Sequence, residues 1–346
     1  MSVEFVSKIA GTLSLRATQV EAVLSLVEEG ATIPFIARYR KDKTGNLDEV
    51  QIQQIQDQHK FLKEFTERKT FIEKTISEQG KMTEALQAKL DAAATLNELE
   101  DMYLPYKPKR KTKAQTAKEN GLEPLAQLLL EQKETDIVGE ASRFINDKVK
   151  SAEEALQGAG DIIAERVNED AAIRARLRSY FEERALVKSS VLKDKETEGA
   201  KYKDYFDFSE PVHKIPSHRM LAILRGFTEG ILKMSIEPEE ELAIELMERD
   251  LVKGMNDSVT QIKKAVKDAY KRLLQPSLET EFRSQLKQKA DEEAINVFAE
   301  NLRQLLLSSP LGSKRILALD PGYRTGCKVV CLDEKGELQT TDLIYI

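Results

Sequence analysis

The densest group of cations in this sequence lies in the segment 107–113. Five of its seven side chains are basic and none is acidic. The basic residues are Lys107, Lys109, Arg110, Lys111 and Lys113. Pro108 keeps the segment extended or turned, so its cations can follow a phosphate backbone, a type of contact that is independent of sequence and sensitive to salt. The segment predicts a nucleic-acid contact, and the alternative is a solvated loop.

Two tyrosines, Tyr103 and Tyr106, stand just before this segment. Exposed aromatic rings next to cations can stack on the bases of a single strand. Tyrosines in such positions also serve as half-buried anchors for a loop. The sequence leaves both interpretations open.

A second basic group, Arg38, Arg40 and Lys41, lies on or just after the third of three short N-terminal helices. Three helices with a basic third helix are similar to a helix-turn-helix, which places that helix in the major groove of DNA. We predict these residues as second candidates for nucleic-acid contact. The alternative is a surface or packing role, because any three-helix unit can show this pattern.

Asp320 follows an apolar run, Ile316–Leu319, and precedes a turn-forming Pro321-Gly322. A strand that ends in an aspartate and continues through a glycine-rich turn into a second strand is typical of the start of an RNase H-like sheet. In such a site a carboxylate helps to hold two divalent cations that cleave a phosphodiester. One carboxylate cannot do this alone, so we expect Asp320 to be structural and to bond to the backbone of the Pro321-Gly322 turn.

Other chemical signatures are missing from the sequence. His59, His213 and His218 have no metal-ligand spacing and no triad partners. Cys327 and Cys331, the only cysteines, are too far apart on a regular strand to form a disulfide. Walker, dinucleotide-binding and nucleophile-elbow motifs do not occur. We therefore predict no catalytic residue, no metal ligand and no cofactor.

Composition limits the functional class further. The 346 residues carry a formal net charge of −6, with 32% charged and 6% aromatic residues. That length favours more than one domain, and the composition is typical of long solvent-exposed helices. Because the chain is acidic overall, any nucleic-acid binding must depend on local basic patches. Without a signal peptide or a membrane-spanning stretch, a cytoplasmic location is expected.

Apolar periodicity predicts helices over most of the chain. Three short helices occupy 3–41, the polar residues 41–46 form a loop, and Asn46 with Glu49 has capping-box spacing. A helix of about thirty residues then starts at Asp48, and Thr83 and Thr95 cap two shorter helices. Further helices are predicted at about 114–120, 123–132, 138–148, 152–168, 170–186, 217–227, 238–253, 257–275 and 277–308.

Two strands are predicted between these helices, at about 187–192 and 231–236, separated by an irregular stretch, 201–216. Within the helix 170–186, Arg174 and Arg178 share a face, and we expect i,i+4 pairing with Glu182 and Glu183. The predicted domains are 1–200, 201–312 and 314–346.

Several segments closely resemble the Tex family of bacterial transcription accessory proteins. They are 32–41 (TIPFIARYRK), 44–50 (TGNLDEV), 104–110 (LPYKPKR), 121–126 (GLEPLA), 155–159 (ALQGA), 205–208 (YFDF), 215–219 (IPSHR), 221–226 (LAILRG) and 319–326 (LDPGYRTG).

The resemblance implies a helix-turn-helix-like region within a helical scaffold, followed by a YqgF-type RNase H-like domain that lacks a complete nuclease site. It also implies helix-hairpin-helix units and an OB-fold RNA-binding domain, neither of which occurs in this sequence. Because only 26 residues follow Asp320, we expect the sequence to be the front part of a longer protein.

We therefore predict a mainly α-helical protein, an elongated multi-helix scaffold with a helix-turn-helix-like N-terminal region, a small β element and an incomplete RNase H-like α/β start at the C-terminus. Its predicted function is a nucleic-acid-binding transcription accessory protein of the Tex type, not an enzyme. RNA or DNA are the predicted partners, RNA polymerase or the ribosome are further candidates, and no membrane is involved. The alternatives are a metal-dependent RNase H-like nuclease or resolvase in the complete protein, and a helical scaffold that binds only proteins.

Overall fold

The computed structural model describes residues 3–109, 111–133, 136–322 and 326–345. Within these ranges the chain is mainly helical, and its strands form two separate three-stranded antiparallel sheets. The predicted mainly α class with a small β element is confirmed. The C-terminal segment, predicted as the start of an RNase H-like sheet, forms the second three-stranded sheet.

The N-terminal part consists of five helices. They are α1 Val3–Leu13, α2 Ala17–Glu28, α3 Ile33–Tyr39, α4 Lys41–Thr44 and α5 Glu49–Glu78. Apolar residues of α1, α2 and α3 pack against Ile52 and Ile55 in the first half of α5. The three short helices and the thirty-residue helix predicted from the sequence are confirmed.

The connection between α3 and α5 differs from the prediction. Residues 41–44 form the short helix α4 instead of a loop, and the predicted capping box of Asn46 and Glu49 is wrong. Gly45 and Asn46 both have left-handed φ angles, 65° and 63°, whereas an N-cap residue needs an extended backbone. Asp48 caps α5 instead, by accepting from the backbone N–H of Gln51.

The second half of α5 packs with two further helices, α6 Glu84–Ala92 and α7 Leu96–Tyr103. Thr83 and Thr95 cap them through their side-chain oxygens, as predicted. The buried residues of this second cluster are Ile72, Ile76, Leu90, Leu99 and Tyr103.

A larger core starts after the basic loop. Its first helices are α8 Lys113–Glu119, α9 Glu123–Glu131, α10 Ile137–Ser142, α11 Ala152–Asn168 and α12 Ala171–Arg184. The predicted helix 138–148 is too long, because α10 ends at Ser142. The Asn146 side chain accepts from the backbone N–H groups of Lys148 and Val149, a local bond that stabilises a turn in place of further helix.

The first sheet has the order β2-β1-β3, with β1 Leu186–Val191 between β2 Asp207–Pro211 and β3 Leu232–Glu237. Both pairings are antiparallel, and Ser189 lies opposite Phe208 and Met234. The predicted strands correspond to β1 and β3. The prediction of irregular structure at 201–216 missed β2, a short strand that depends on pairing with β1.

Four helices complete the core: α13 Ser217–Thr228, α14 Glu240–Leu251, α15 Asp257–Ala269 and α16 Gln275–Leu306. The predicted break near residue 276 is wrong, because α15 continues into α16 through a π-helical turn, Tyr270–Leu274. Pro276 lacks an N–H and would collide with the carbonyl four residues earlier in a regular helix. The wider π turn accommodates it without ending the helix.

The second sheet contains β4 Ile316–Gly322, β5 Gly326–Leu332 and β6 Leu338–Ile344 in the order β4-β5-β6. Pro321 and Gly322 belong to β4, opposite Cys327 and Gly326, so the turn predicted at Pro321-Gly322 is wrong. Residues 323–325 lie outside the described ranges.

None of the helices in the described ranges combines the length and apolar character that crossing a membrane requires.

Candidate nucleic-acid interface

The second basic group of the sequence lies at the end of α3 and on α4, where Arg38 and Lys41 are exposed and Arg40 is half-buried. Ile36 and Ala37 are buried against the N-terminal core, so the helical period turns the residues on either side of them outward. We call this face the α3–α4 surface. Its residues are Phe35, Arg38, Tyr39, Arg40, Lys41 and Lys43.

Two aromatic rings stand side by side on the α3–α4 surface. Phe35 is 38% exposed and Tyr39 is 65% exposed. Their ring centroids lie 5.5 Å apart with an interplanar angle of 44°. The Arg40 guanidinium lies 4.7 Å from the Phe35 centroid, and Arg40 Nη1 donates to the carbonyl of Tyr39 over 2.9 Å. The surface therefore combines accessible rings with an ordered cation.

The cations of the α3–α4 surface have no carboxylate partners in the part of the chain that the structure describes. These cations are Arg38, Arg40, Lys41 and Lys43. None of their side-chain nitrogens lies within 4.0 Å of a carboxylate oxygen of the described residues. Asp42, on α4 itself, is the only acidic residue within 38–43 and likewise has no ion pair in the described ranges. Four cations and one anion in six consecutive residues favour a local positive field that a polyanion can use.

The basic loop 107–113 has a different environment. Lys107 forms an ion pair with Glu100, and its Nζ lies 5.6 Å from the centroid of the Tyr103 ring. Lys109 pairs with Glu169 and lies 3.5 Å from Glu165.

The rest of the loop is only partly neutralised. The Nζ atom of Lys111 lies 3.8 Å from Glu119. Lys113, the first residue of α8, is exposed and has no ion pair in the described ranges. Arg110 lies outside the described residues.

Two of the partner carboxylates respond in opposite ways to this environment. Burial alone would raise the pKa of Glu100, but hydrogen bonds from Arg68 and Lys107 outweigh it and lower the pKa. At Glu169 burial dominates, so the pKa is raised despite the hydrogen bond from Lys109. Both glutamates are tied to lysines of the loop, which anchors the loop to α7 and α11.

The tyrosines beside the loop are anchors rather than stacking surfaces. Tyr103 is 3% exposed, and its ring packs edge-on against Phe71 with centroids 6.1 Å apart. Tyr106 is half-buried, and its carbonyl accepts from the Gln79 side chain over 2.9 Å. Of the two interpretations left open by the sequence, burial favours the anchor.

Sequence reasoning missed a buried ionic network next to this region. Arg174 Nε lies 2.6 Å from Asp101 Oδ1, and Arg178 Nη2 lies 2.9 Å from Asp101 Oδ2. Arg178 also pairs with Glu281 over 2.5 Å. The expected pairing of these arginines with Glu182 and Glu183 is therefore replaced by pairing across three helices, α7, α12 and α16. The i,i+4 spacing of the two arginines was the signal, but it did not identify their partners.

The remaining candidates do not come together as a site. Asp320 is exposed on β4 and lies opposite Lys328. Cys327 and Cys331 are free thiols, as predicted. In the described ranges, no three His, Cys, Asp or Glu side chains are grouped so that they could hold a metal ion.

Three family models match the chain. Residues 3–77 match the Tex-like protein N-terminal domain, residues 132–298 the Tex central region-like model, and residues 314–346 the Tex protein YqgF-like domain. The first region contains the α3–α4 surface.

Similar proteins occur in bacteria and in animals. The Transcriptional accessory protein Tex of Neisseria gonorrhoeae is 42% identical over an alignment of 340 positions, gaps included, that covers 96% of this chain and 45% of that protein. Protein YhgF of Escherichia coli is 43% identical over an alignment of 357 positions that covers 100% of this chain and 46% of that protein. The human S1 RNA-binding domain-containing protein 1 is 30% identical over an alignment of 343 positions that covers 94% of this chain and 34% of that protein.

The chain thus spans less than half the length of each of these relatives. The resemblance that its motifs predicted extends over nearly all of its own residues, at a level of identity that unrelated chains do not reach by chance. On these grounds the chain belongs to the Tex family.

Proposed function

We propose that this chain is a nucleic-acid-binding transcription accessory protein that contacts RNA or DNA through its α3–α4 surface. The observation that carries the proposal is the group of four cations that have no carboxylate partner among the described residues and lie beside two exposed aromatic rings. The names of two relatives, a transcriptional accessory protein and an S1 RNA-binding domain-containing protein, support the same class.

The proposed contact has an electrostatic and a stacking component. Arg38, Lys41 and Lys43 approach phosphates and release condensed counterions, which supplies affinity without sequence preference. Tyr39 offers a ring face to a base, a contact that contributes about 1–3 kcal/mol per base in single strands. The Arg40 guanidinium, held over Phe35, extends the same face.

The basic loop has a secondary role in this proposal. Most of its lysines already lie against glutamates, so a phosphate must compete with a carboxylate for each of them. Lys113 is the exception, because it has no ion pair in the described ranges. We expect the loop to add to the positive field near a bound strand and to contribute less affinity per cation than the α3–α4 surface.

Fluorescence anisotropy with labelled single-stranded RNA, single-stranded DNA and duplex DNA across a salt series tests the proposal. We expect Arg38→Gln/Lys41→Gln to weaken binding and to reduce the slope of log affinity against log salt by about 1.4 on single strands, about 0.7 per lost contact. The matched control is Lys148→Gln/Lys150→Gln, which removes two exposed lysines that also have no ion pair within the described part of the chain. No binding by the parent chain at low salt, or equal losses in both double variants, would contradict the proposal.

We also propose that the chain acts by binding and not by catalysis. Asp320 lies exposed on β4, and in the described ranges it is not part of a group of three His, Cys, Asp or Glu side chains that could hold a metal ion. The alternative is a metal-dependent RNase H-like nuclease. Incubation of labelled RNA and DNA with the chain and with a full-length relative, with Mg²⁺ or Mn²⁺, tests it. Cleavage by either protein that is lost on Asp320→Asn, or on the equivalent change in the relative, would replace our proposal.

Partners and location follow from the proposed role. A transcription accessory protein acts where transcripts are made, which favours a cytoplasmic location and RNA polymerase or the ribosome as protein partners. A pull-down that resists nuclease treatment, together with no direct binding of nucleic acid, would favour the scaffold alternative.

A further inference from the structure

Gln19 is a buried polar side chain that links two parts of the N-terminal core. It lies on α2 and is 9% exposed. Its Nε2 donates to the carbonyl oxygens of Thr44, over 3.1 Å, and Gly45, over 3.3 Å. These are the carbonyls at the C-terminal end of α4, which have no partner within the helix. The Gln19 amide therefore caps the turn that carries Lys41 and Lys43.

The other half of the same amide holds a further cation. Gln19 Oε1 accepts from the backbone N–H and from the Nε of Arg16, both over 3.2 Å. Arg16 is exposed and has no ion pair in the part of the chain that the structure describes. Its guanidinium lies so close to Gly45 that a Cβ at that position would be 2.7 Å from Arg16 Nη2.

These contacts require the particular backbone of the turn. Gly45 has φ of 65°, a left-handed conformation that glycine adopts without strain. A side chain there would also meet Gln19 Nε2 at 2.9 Å. The absence of a Cβ thus lets Arg16, Gln19 and the end of α4 approach closely.

We infer that Gln19 is a positioning residue of the α3–α4 surface, and that Arg16 is an additional phosphate-contacting residue held there by Gln19. The inference rests on the proposed function. A single buried amide fixes the turn of α4 with its donor half and places Arg16 against that turn with its acceptor half. The surface then presents five cations to one polyanionic backbone, with Arg16 at the start of α2 and the other four on or between α3 and α4.

Two substitutions of Gln19 separate the halves of the amide. Gln19→Met keeps the length of the side chain and removes both halves. Gln19→Glu keeps the acceptor for Arg16 but sets a carboxylate oxygen against the two carbonyls. We expect both variants to shift the NMR signals of residues 44–46 in the free protein. Gln19→Met should weaken single-stranded RNA binding about tenfold and reduce the salt slope by about 0.7, one phosphate contact.

Gln132→Met is the matched control, because Gln132 makes the same type of contact elsewhere. Its Nε2 donates to the Leu251 carbonyl over 2.6 Å, and its Oε1 accepts from the Lys253 N–H over 2.7 Å. We expect this variant to lose stability without any change in affinity or salt slope. If Gln19→Met and Gln132→Met lose only stability, Gln19 is structural and the inference is wrong.

Arg16→Gln tests the contact residue without disturbing the capping of α4. Its guanidinium is exposed, so the variant should stay folded, bind about threefold to tenfold more weakly and lose about 0.7 from the salt slope. Unchanged affinity in Arg16→Gln would overturn the assignment of Arg16, whatever Gln19→Met does. If Arg38→Gln/Lys41→Gln has no effect while the parent chain binds, the proposed function itself has failed, a result distinct from failure of the inference alone.

Discussion

The basic loop 107–113 and the α3–α4 surface are both rich in cations, but they differ in where the carboxylates lie. In the loop, Lys107, Lys109 and Lys111 each lie within ion-pair distance of a glutamate. On the α3–α4 surface, no cation has such a partner in the described ranges. A cation that already has a carboxylate gives up that contact before it binds a phosphate, whereas an unpaired cation gives up only water and counterions. The density of positive charge in a sequence is therefore a poor guide to its availability.

The two regions also differ in their aromatic residues. Tyr103 beside the loop is buried, and Tyr39 on α3 is the more exposed of two adjacent rings. Buried rings hold elements together and exposed rings can stack on a ligand. Both differences indicate that the basic loop and Tyr103 stabilise the fold, whereas the α3–α4 surface is accessible to a nucleic acid.

The largest expected effect is a loss of stability when the buried ionic network beside the basic loop is broken. Asp101→Asn leaves Arg174 and Arg178 with much less compensating charge in a site where Arg174 is 8% and Arg178 is 18% exposed. Breaking a buried pair in this way costs about 3–5 kcal/mol. Urea unfolding should show this loss, and affinity for nucleic acid should be unchanged in the folded fraction. A loss below about 1 kcal/mol, the range of surface pairs, would show that the network does not anchor this region.

The second prediction compares the cations directly. Arg38→Gln/Lys41→Gln/Lys43→Gln should reduce affinity for single-stranded RNA about 100-fold at low salt and reduce the salt slope by about 2. Its free energy of unfolding should change by less than about 0.5 kcal/mol, as for other surface substitutions. Anisotropy and urea unfolding on the same samples measure both quantities.

Lys107→Gln/Lys109→Gln/Lys111→Gln is the counterpart in the loop. We expect it to lose about 1–2 kcal/mol of stability, because it removes one cationic partner from each of the partly buried glutamates Glu100, Glu165 and Glu169. Its affinity should fall less than about threefold, well under the loss expected from counterion release by three free cations. If the loop variant loses more affinity than the surface variant, the ranking of the two regions is reversed.

The third prediction exchanges the aromatic residues. Tyr39→Leu should weaken binding to single-stranded RNA about tenfold, which lies within the range for one stacked base, and should leave binding to duplex DNA nearly unchanged. Tyr103→Leu should instead lower stability by about 1–3 kcal/mol, since it removes a packed ring. Equal losses on single strands and duplexes in Tyr39→Leu would argue against stacking.

The smallest expected effect concerns pH. Burial raises the pKa of Glu169, so the folded state takes up a proton there more readily than the unfolded state. The buried charge of Glu169 destabilises the folded state at neutral pH, and this destabilisation disappears as the pH falls through the raised pKa. Between pH 7 and pH 5, the parent chain should therefore gain stability relative to Glu169→Gln, by less than about 1 kcal/mol. Urea unfolding at the two pH values measures the difference.

The pH dependence of stability expected from Glu100 has the opposite sign. Hydrogen bonds from Arg68 and Lys107 outweigh burial and lower the pKa of Glu100. The charged carboxylate therefore stabilises the folded state at neutral pH, and this contribution is lost as the pH falls from the pKa of the unfolded state through the lowered pKa of the folded state. Glu100→Gln should show its largest deficit relative to the parent chain at pH 7 and a smaller one near pH 3.5. A deficit that grows on acidification would contradict the sign.

The local elements were predictable where a short segment carries its own signal. Thr83 and Thr95 supply side-chain caps, and the thirty-residue helix after Asp48 follows from apolar period alone. Elements that depend on a distant partner were missed. β2 exists because β1 pairs with it, and α4 ends where the Gln19 amide meets its carbonyls.

The sequence by itself determined the family, the mainly helical class and the positions of the two basic groups, because motifs, periodicity and charge are properties of consecutive residues. Only the tertiary structure decided which cations are free. Glu165 and Glu169 are more than fifty residues from Lys109 along the chain, and Asp101 is more than seventy from Arg174. Pairing of charges depends on distance in space and on desolvation, and both arise only when the helices pack together.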